Sequence, residues 1–463
     1  MLIRNAELRG QGIVDLRCER GLVSEIADSL QPRPGETLID ARGGVILPGL
    51  HDHHIHLHAL AAAHSSVICG PPQVTDMEQL GHALNADSGS GWVRGIAYHD
   101  SVAGELDRSL LDKQLSDRPV RIQHRSGKMW VVNSAAADIL ELEKNKALDG
   151  IECDGNDHPN GRLFRLDEWL RSKLGSQGPP NVEMVSGQLA SYGVTGITDA
   201  TPGNSADEMG LFGKAIDQNR LLQRVLVMGS LELPVSNHPY VERGAYKILL
   251  DEHKLPGVEE LVEQIIAAHE MKRAVAIHCV TRTELVFALS SIIAAGHYRG
   301  DRIEHASVAP DEVLPLMREA QVSVVTQFGF IKERGDQYLK DVKPQYHPLL
   351  YRGKAFLDAN IPLAGSSDAP YGSHDAWLTM RAAVERTSAD GKSIGAQERL
   401  TPEQALALFT CSAGLPGIST RKIAIGEAAD LCLLDCSWSI ARTRLDCRNV
   451  LATVRDGKLI YSR

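Results

Sequence analysis

The sequence predicts an α/β fold, a (β/α)8 TIM barrel joined to a small β-sandwich domain built from both termini. The first observation behind this is an alternation. Strand-like apolar runs occur at "RGGVILPGL", "VRIQHRS", "GVTGITDA", "RVLVMGS", "AYKILLD", "AVAIHCV", "DRIEHAS", "VSVVTQF" and "IPLAGSSD", with helical stretches such as "GVEELVEQIIAAHEMKR" and "TELVFALSSIIAAGH" between several of them. Such alternation implies parallel strands joined by right-handed crossovers. About eight units over roughly 350 residues fit a closed barrel better than an open sheet. The second observation is that both ends look different from the middle. Residues 1–49 and 424–463 read as short β segments with turns, Asp456-Gly457 among them, so they are expected to pair into one small domain, leaving the barrel to residues 50–423. Within the barrel, residues near 140–185 are polar and rich in Gly, Asp and Asn, which predicts a loop or lid insertion. Late in the chain, "LTPEQALALFTCSAGLPG" predicts a helix with Thr401 as N-cap, Pro402 in the first turn, Gln404 completing a capping box and a stop near Gly414.

Composition narrows the function. The chain has 463 residues, 43% hydrophobic and 23% charged, with a formal net charge of −10, ordinary for a soluble globular protein. The acidic balance and the lack of any Lys/Arg run argue against nucleic acid as a partner. No stretch of ~18 apolar residues predicts a membrane span, and the first residues lack the apolar core of a signal peptide. The eight cysteines are scattered without a CxxC pair, as expected of reduced, mostly buried thiols in a cytoplasmic protein. There is no GxSxG elbow, GxxxxGK loop or GxGxxG turn. The expected partner is a small-molecule substrate.

Chemistry concentrates where polar residues end the strand-like runs. "GGVILPGLHDHHIHLH" places five histidines in eight positions after an apolar run. On a strand, residues two apart face the same way, so His54 and His56 can hold one ion together. By the same parity His51 and His53 point elsewhere and His58 lies past the pair. Lys247, His278, His305 and Asp368 end later runs, and strand C-termini of a (β/α)8 barrel converge on one mouth. Four imidazoles, a lysine and an aspartate supply what a hydrolytic metal centre needs. The plainer readings are an ion pair of Lys247 with Asp251 and a capping role for Asp368.

These motifs resemble the amidohydrolase superfamily and, within it, the YtcJ-like branch called amidohydrolase family 3. "PGLHDHHIHL" is similar to the superfamily's first-strand signature, and "YKILLD", "AIH", "RIEHAS", "GSSDAPYGSHDAW", "LTPEQALALFT" and "IGEAADLCLLD" follow in the family's order across nearly the whole chain. The resemblance implies a hydrolase of amide, urea, carbamate or thiocarbamate bonds. It implies two divalent ions, zinc or cobalt with manganese or iron as alternatives, and a carboxylated Lys247 bridging them. His54 and His56 would hold one ion and His278 and His305 the other, with Asp368 beside a bridging hydroxide as general base and then acid. It also implies association into a homo-oligomer. The wording of the first motif looks closest to a subgroup that hydrolyses thiocarbamates and phenylureas. The chain departs from the branch at Lys128, which replaces a histidine in "SGKMWVVNS", and at "HCVTRTE", which replaces Gly-Asp after His278. Lys128, Trp130 and Asn133 are candidate substrate contacts. Two rival readings are a mononuclear deaminase of a cyclic amidine, which would want a glutamate where Thr281 stands, and a non-enzymatic scaffold.

Overall fold

Eight of the nine strand-like runs become the staves of one barrel. In a computed structural model describing residues 1–71, 73–89, 91–174 and 180–463, these are β1 (Leu50–Ile55), β2 (Val194–Asp199), β3 (Arg224–Gly229), β4 (Val241–Leu249), β5 (Val275–Cys279), β6 (Arg302–His305), β7 (Ser323–Thr326) and β8 (Leu363–Gly365). They pair in sequence order, each neighbour parallel. The barrel closes just past β8, where Asp368 N–H donates to the His54 carbonyl at 2.8 Å and His56 N–H to the Ala369 carbonyl at 2.9 Å. Small inward residues, Ala200, Ala245 and Ala276, pack with Met228 inside, leaving room for longer polar side chains at the strand ends. The predicted helices are present: Val258–Glu270, Arg282–Ala295, and Pro402–Thr410 with its Thr401–Gln404 capping box. The last stops at Thr410, before Gly414, because Cys411–Ser412 turns into a hairpin with Leu415–Thr420.

Strands from both termini share one eight-stranded sheet. Its order is Lys458–Ser462, Val450–Arg455, Leu431–Leu434, Val45–Pro48, Leu2–Leu8, Gly12–Glu19, Leu22–Ala27, with Leu38–Asp40 added beside Leu2–Leu8. Hydrogen bonding is continuous through Leu2–Leu8, and the last strand of the order returns to the run leading into Leu431–Leu434 where Leu22 bridges Ala428, so the small β domain expected from both termini is present. Ile3, Leu16, Val23, Leu431 and Val454 build its core. The run "RGGVILPGL" serves both sheets. Val45–Pro48 belongs to the terminal sheet and Leu50 starts the barrel, with Gly49 at the junction, where a Cβ would lie 2.3 Å from Thr195.

The ninth run has a different home. Residues His58–Asn181 form a second compact unit, and "VRIQHRS" supplies its strand Val120–His124. That unit holds a six-stranded sheet in which Val67–Ile68, Val93–Tyr98 and Val120–His124 run parallel and Met129–Val132, Pro159–Phe164 and Ile151–Cys153 follow antiparallel. The insertion is therefore much longer than the predicted loop near 140–185. Its polar part carries strands and the helix Asp167–Leu174, and residues 175–179 lie outside the described ones. Among the described residues no helix is long and apolar enough to cross a membrane.

Candidate metal centre

Four of the six predicted ligands meet at measurable distances. His54 Nε2 lies 3.4 Å and His56 Nε2 3.3 Å from Asp368 Oδ1, and His305 Nδ1 lies 4.0 Å from Asp368 Oδ2. The ligand atoms of His54, His56 and Asp368 all fall within 4.8 Å of one another, a spacing that could hold an ion. The His278 ring lies 4.5 Å from the His305 ring, and the His305 ring 5.0 Å from that of His54. Lys247 is the sixth member. It is 5% exposed, its Nζ has no hydrogen-bond partner, and the charges that act on it include Glu304 and Asp368. No hydrogen bond joins Lys247 Nζ to Asp251, the partner the plainer reading gave it. Asp368 turns its carboxylate to the imidazoles and does not cap. His305 and Asp368 both have left-handed backbones, φ 69° and 54°, a conformation that costs a non-glycine residue free energy and clusters at functional sites.

The imidazoles are held in the state a metal requires. A ligand histidine must be neutral with its lone pair directed inward. Burial lowers the pKa of His54 to about 3 and pushes His278 and His305 down as well. One ring nitrogen of His54, His56 and His305 is engaged. His54 Nδ1 bonds the Glu304 carboxylate, which can only accept, so the hydrogen sits on Nδ1 and the Nε2 lone pair faces Asp368. His305 Nδ1 donates to Gln327 Oε1 at 2.8 Å, and Gln327 Nε2 in turn donates to Ser366. His56 Nδ1 pairs with Thr201 at 3.0 Å. Burial alone would raise the Glu304 pKa, but Arg302, Lys247 and His54 hold it well below the usual carboxylate range. Burial lowers Lys247 to about 8, making its amine available in neutral form near physiological pH.

Glu304, Gln327 and Thr201 were not singled out from the sequence. The signal for Glu304 was present, since "DRIEHAS" places two charged residues two apart inside an apolar run. Arg302 and Glu304 are both buried and paired with each other, and Arg302 also donates to the His53 carbonyl at 2.7 Å. Gln327 and Thr201 gave no such signal. The remaining histidines of the first strand pack elsewhere. His51 bonds Thr198 at 2.9 Å, and His53 contacts Cys411 Sγ at 3.1 Å. Tyr371 meets the His56 ring edge-on at 5.8 Å.

The three candidate substrate contacts belong to the inserted unit. Trp130 is buried and its indole N–H donates to Asp167 at 2.8 Å. Asn133 is 0% exposed and its amide is committed to backbone groups as the N-cap of Ser134–Ile139. Both hold the unit's fold. Lys128 is exposed.

A closed parallel barrel whose strand ends gather imidazoles, a carboxylate and an unpartnered buried lysine defines a metal-dependent hydrolase. The chain belongs to the amidohydrolase family, whose sequence profile matches residues 37–461. It is a hydrolase of carbon–nitrogen bonds other than peptide bonds. It is 24% identical to the N-substituted formamide deformylase of Arthrobacter pascens, over 93% of this chain and 91% of that protein. Among solved structures, an uncharacterised metal-dependent hydrolase from Pyrococcus horikoshii superposes with a TM-score of 0.74 at 19% identity, covering 94% of this chain and 97% of that one. Its counterpart from Pyrococcus furiosus gives 0.72 at 22% identity, covering 94% and 98%.

Proposed function

We propose that this protein hydrolyses the C–N bond of a small N-substituted amide, with formamides first among the candidates and ureas, carbamates and thiocarbamates as the wider class. Divalent cations would be held by His54, His56, Lys247, His278, His305 and Asp368. The observation that carries the reading is the approach of His54 Nε2 and His56 Nε2 to one carboxylate oxygen of Asp368, with the opposite nitrogen of each ring already engaged. The residues fit cations, because neutral imidazoles and a carboxylate are the donors that zinc and cobalt take. Lys247 Nζ, buried without a hydrogen-bond partner, fits too if carboxylated. A carbamate exchanges an unpartnered amine for an anion with two donor oxygens.

When bound, a divalent cation supplies Lewis acidity and lowers the pKa of water towards ~7. Asp368 then takes a proton from the attacking water and returns it to the leaving nitrogen, because an amine departs far more readily than its anion. The balance is amide plus water giving amine plus carboxylic acid. Glu304, Gln327 and Thr201 keep the three rings aimed throughout. Lys128 remains a candidate contact for substrate. The deaminase alternative lacks its glutamate, since Thr281 caps the helix Arg282–Ala295 and Glu284 closes the capping box.

The test is elemental analysis of the purified protein together with a screen of N-substituted formamides, amides, ureas, carbamates and thiocarbamates. About two divalent ions per chain, and amine release abolished by chelation and restored by metal, is the expected result. Turnover that survives complete metal removal overturns the reading, and one ion per chain with ammonia released from a cyclic amidine favours the deaminase.

A further inference from the structure

The strand ends of the barrel are chemically uneven. Two residues beyond Met228 on β3 stands Ser230, and two beyond His305 on β6 stands Ser307. Asp199 at the end of β2 is likewise followed by Thr201. On β4 and β5 the corresponding positions are Leu249 and Val280, which are 61% and 39% exposed.

Their direction follows from parity. Tyr246 on β4 reaches outward to Gln264 of the helix Val258–Glu270 at 3.4 Å, and Ala245 packs inward with Ala200, Met228 and Ala276. Ala245, Lys247 and Leu249 therefore share the inner side. On β5, Cys279 turns outward to the Glu284 carbonyl at 3.6 Å, so Ala276 and His278 face inward. Val280 stands just past the strand end, two residues beyond His278, 39% exposed and with its N–H fixed to Glu284 at 2.7 Å. Leu249 is the register partner of His278, which puts Val280, two residues further on, diagonally beyond Leu249 on the adjacent strand. A step of two residues along a strand is about 6.6 Å. Each aliphatic group thus stands one small-molecule length above a candidate metal ligand, Lys247 or His278. Isolated exposed aliphatics are common on protein surfaces, but these two stand two residues beyond candidate metal ligands, where ligand sites place apolar side chains.

We propose that Leu249 and Val280 form an apolar platform at the barrel mouth that selects substrates whose scissile nitrogen carries a hydrocarbon substituent. This rests on the hydrolase reading above and names the substrate class for it. In a formamide the acyl side is a single hydrogen, so the nitrogen substituent is the bulky part that remains to be recognised. The reacting carbonyl lies among His54, His56, His305 and Asp368, and the hydrocarbon extends along β4 and β5.

The probes are N-alkyl-N-hydroxyformamides with alkyl chains from methyl to hexyl, titrated calorimetrically into the metal-loaded protein. They present the formyl group and the nitrogen substituent together with two metal-binding oxygens, and they are read without turnover. Affinity should rise with each methylene, up to about fourfold per step for full burial. In Leu249→Ser and Val280→Ser, with metal content measured in the same samples, the rise should flatten. Both positions are exposed, so these variants should fold. An affinity independent of chain length in the parent protein overturns the platform while leaving the metal centre intact. A rise that persists unchanged in both variants also overturns it. If the methyl compound fails to bind metal-loaded protein at all, the hydrolase reading falls and takes this inference with it.

Discussion

Two buried polar residues, Lys247 at the barrel mouth and Asn133 in the inserted unit, look alike in a burial profile and behave oppositely. Asn133 in the inserted unit is fully engaged. Its oxygen accepts from Val120 and Ala136 N–H at 2.9 and 3.0 Å, and its amide nitrogen donates to the Leu115 and Arg118 carbonyls at 2.8 and 2.7 Å. At the barrel mouth Lys247 Nζ has no hydrogen-bond partner, and two imidazole nitrogens converge on one carboxylate oxygen. A residue whose hydrogen-bonding capacity is used up by backbone holds a fold together. One left with capacity in a buried place is available for chemistry, because leaving it so costs free energy that folding alone does not explain.

The sharpest way to break this contrast is Asp368→Asn. The substitution keeps the shape and removes the base, so kcat should fall by about 10²- to 10⁴-fold while elemental analysis still finds metal. Turnover near that of the parent would show that Asp368 is not the proton carrier. Unchanged biological function in cells without catalysis would favour a scaffold.

Asn133→Ala probes the other side. Removing the amide leaves buried backbone donors and acceptors unmatched, at about 1–3 kcal/mol each when water cannot enter, and deletes an N-cap. Urea denaturation should show a loss of about 3 kcal/mol, with metal content per chain unchanged. A stable variant that loses turnover would instead make Asn133 a substrate contact.

Third in size is Glu304→Gln. The amide preserves the side chain's shape but loses the charge that faces Arg302 and fixes the proton on His54 Nδ1. Residues that orient metal ligands are worth about 10- to 100-fold in metal affinity, and competition with a chelator should register a loss of that order. Unaltered affinity would mean that Glu304 serves the barrel's packing with Arg302 and nothing more.

The same contrast explains what could be read from the sequence. The barrel was legible because strand periodicity and chemistry coincide there. His54, His56, His278, His305 and Asp368 each end an apolar run, and parity separates His54 and His56 from His51 and His53. The inserted unit was not, because a mixed sheet mimics barrel strands locally. "VRIQHRS" has the same apolar alternation as a stave, and no residue within it says which sheet it joins. Asn133 shows the limit of such reading, because a polar residue among apolar ones carries the same signal whether or not backbone engages it. Gln327 and Thr201 stayed hidden because their role depends on rings supplied from β6 and from the end of β1, and such a pairing exists only in the folded chain.

Thr401→Ala separates residue chemistry from location. Thr401 lies in the unit that carries the metal centre, yet its hydroxyl is committed, accepting from Gln404 N–H at 3.2 Å while the Gln404 side chain accepts from Thr401 N–H at 2.8 Å. If hydrogen-bonding state decides, Thr401 should behave like Asn133 despite its location, losing about 1 kcal/mol of stability, the usual value of an N-cap, with metal content and turnover unchanged. The helix it starts packs beside β8 and β1, so any leakage of the lost cap into the site would travel a short path to His54 and Asp368. A drop in metal affinity with the alanine variant would therefore show that position near the centre matters as much as free bonding capacity, and the distinction drawn between the two regions would then rest on location.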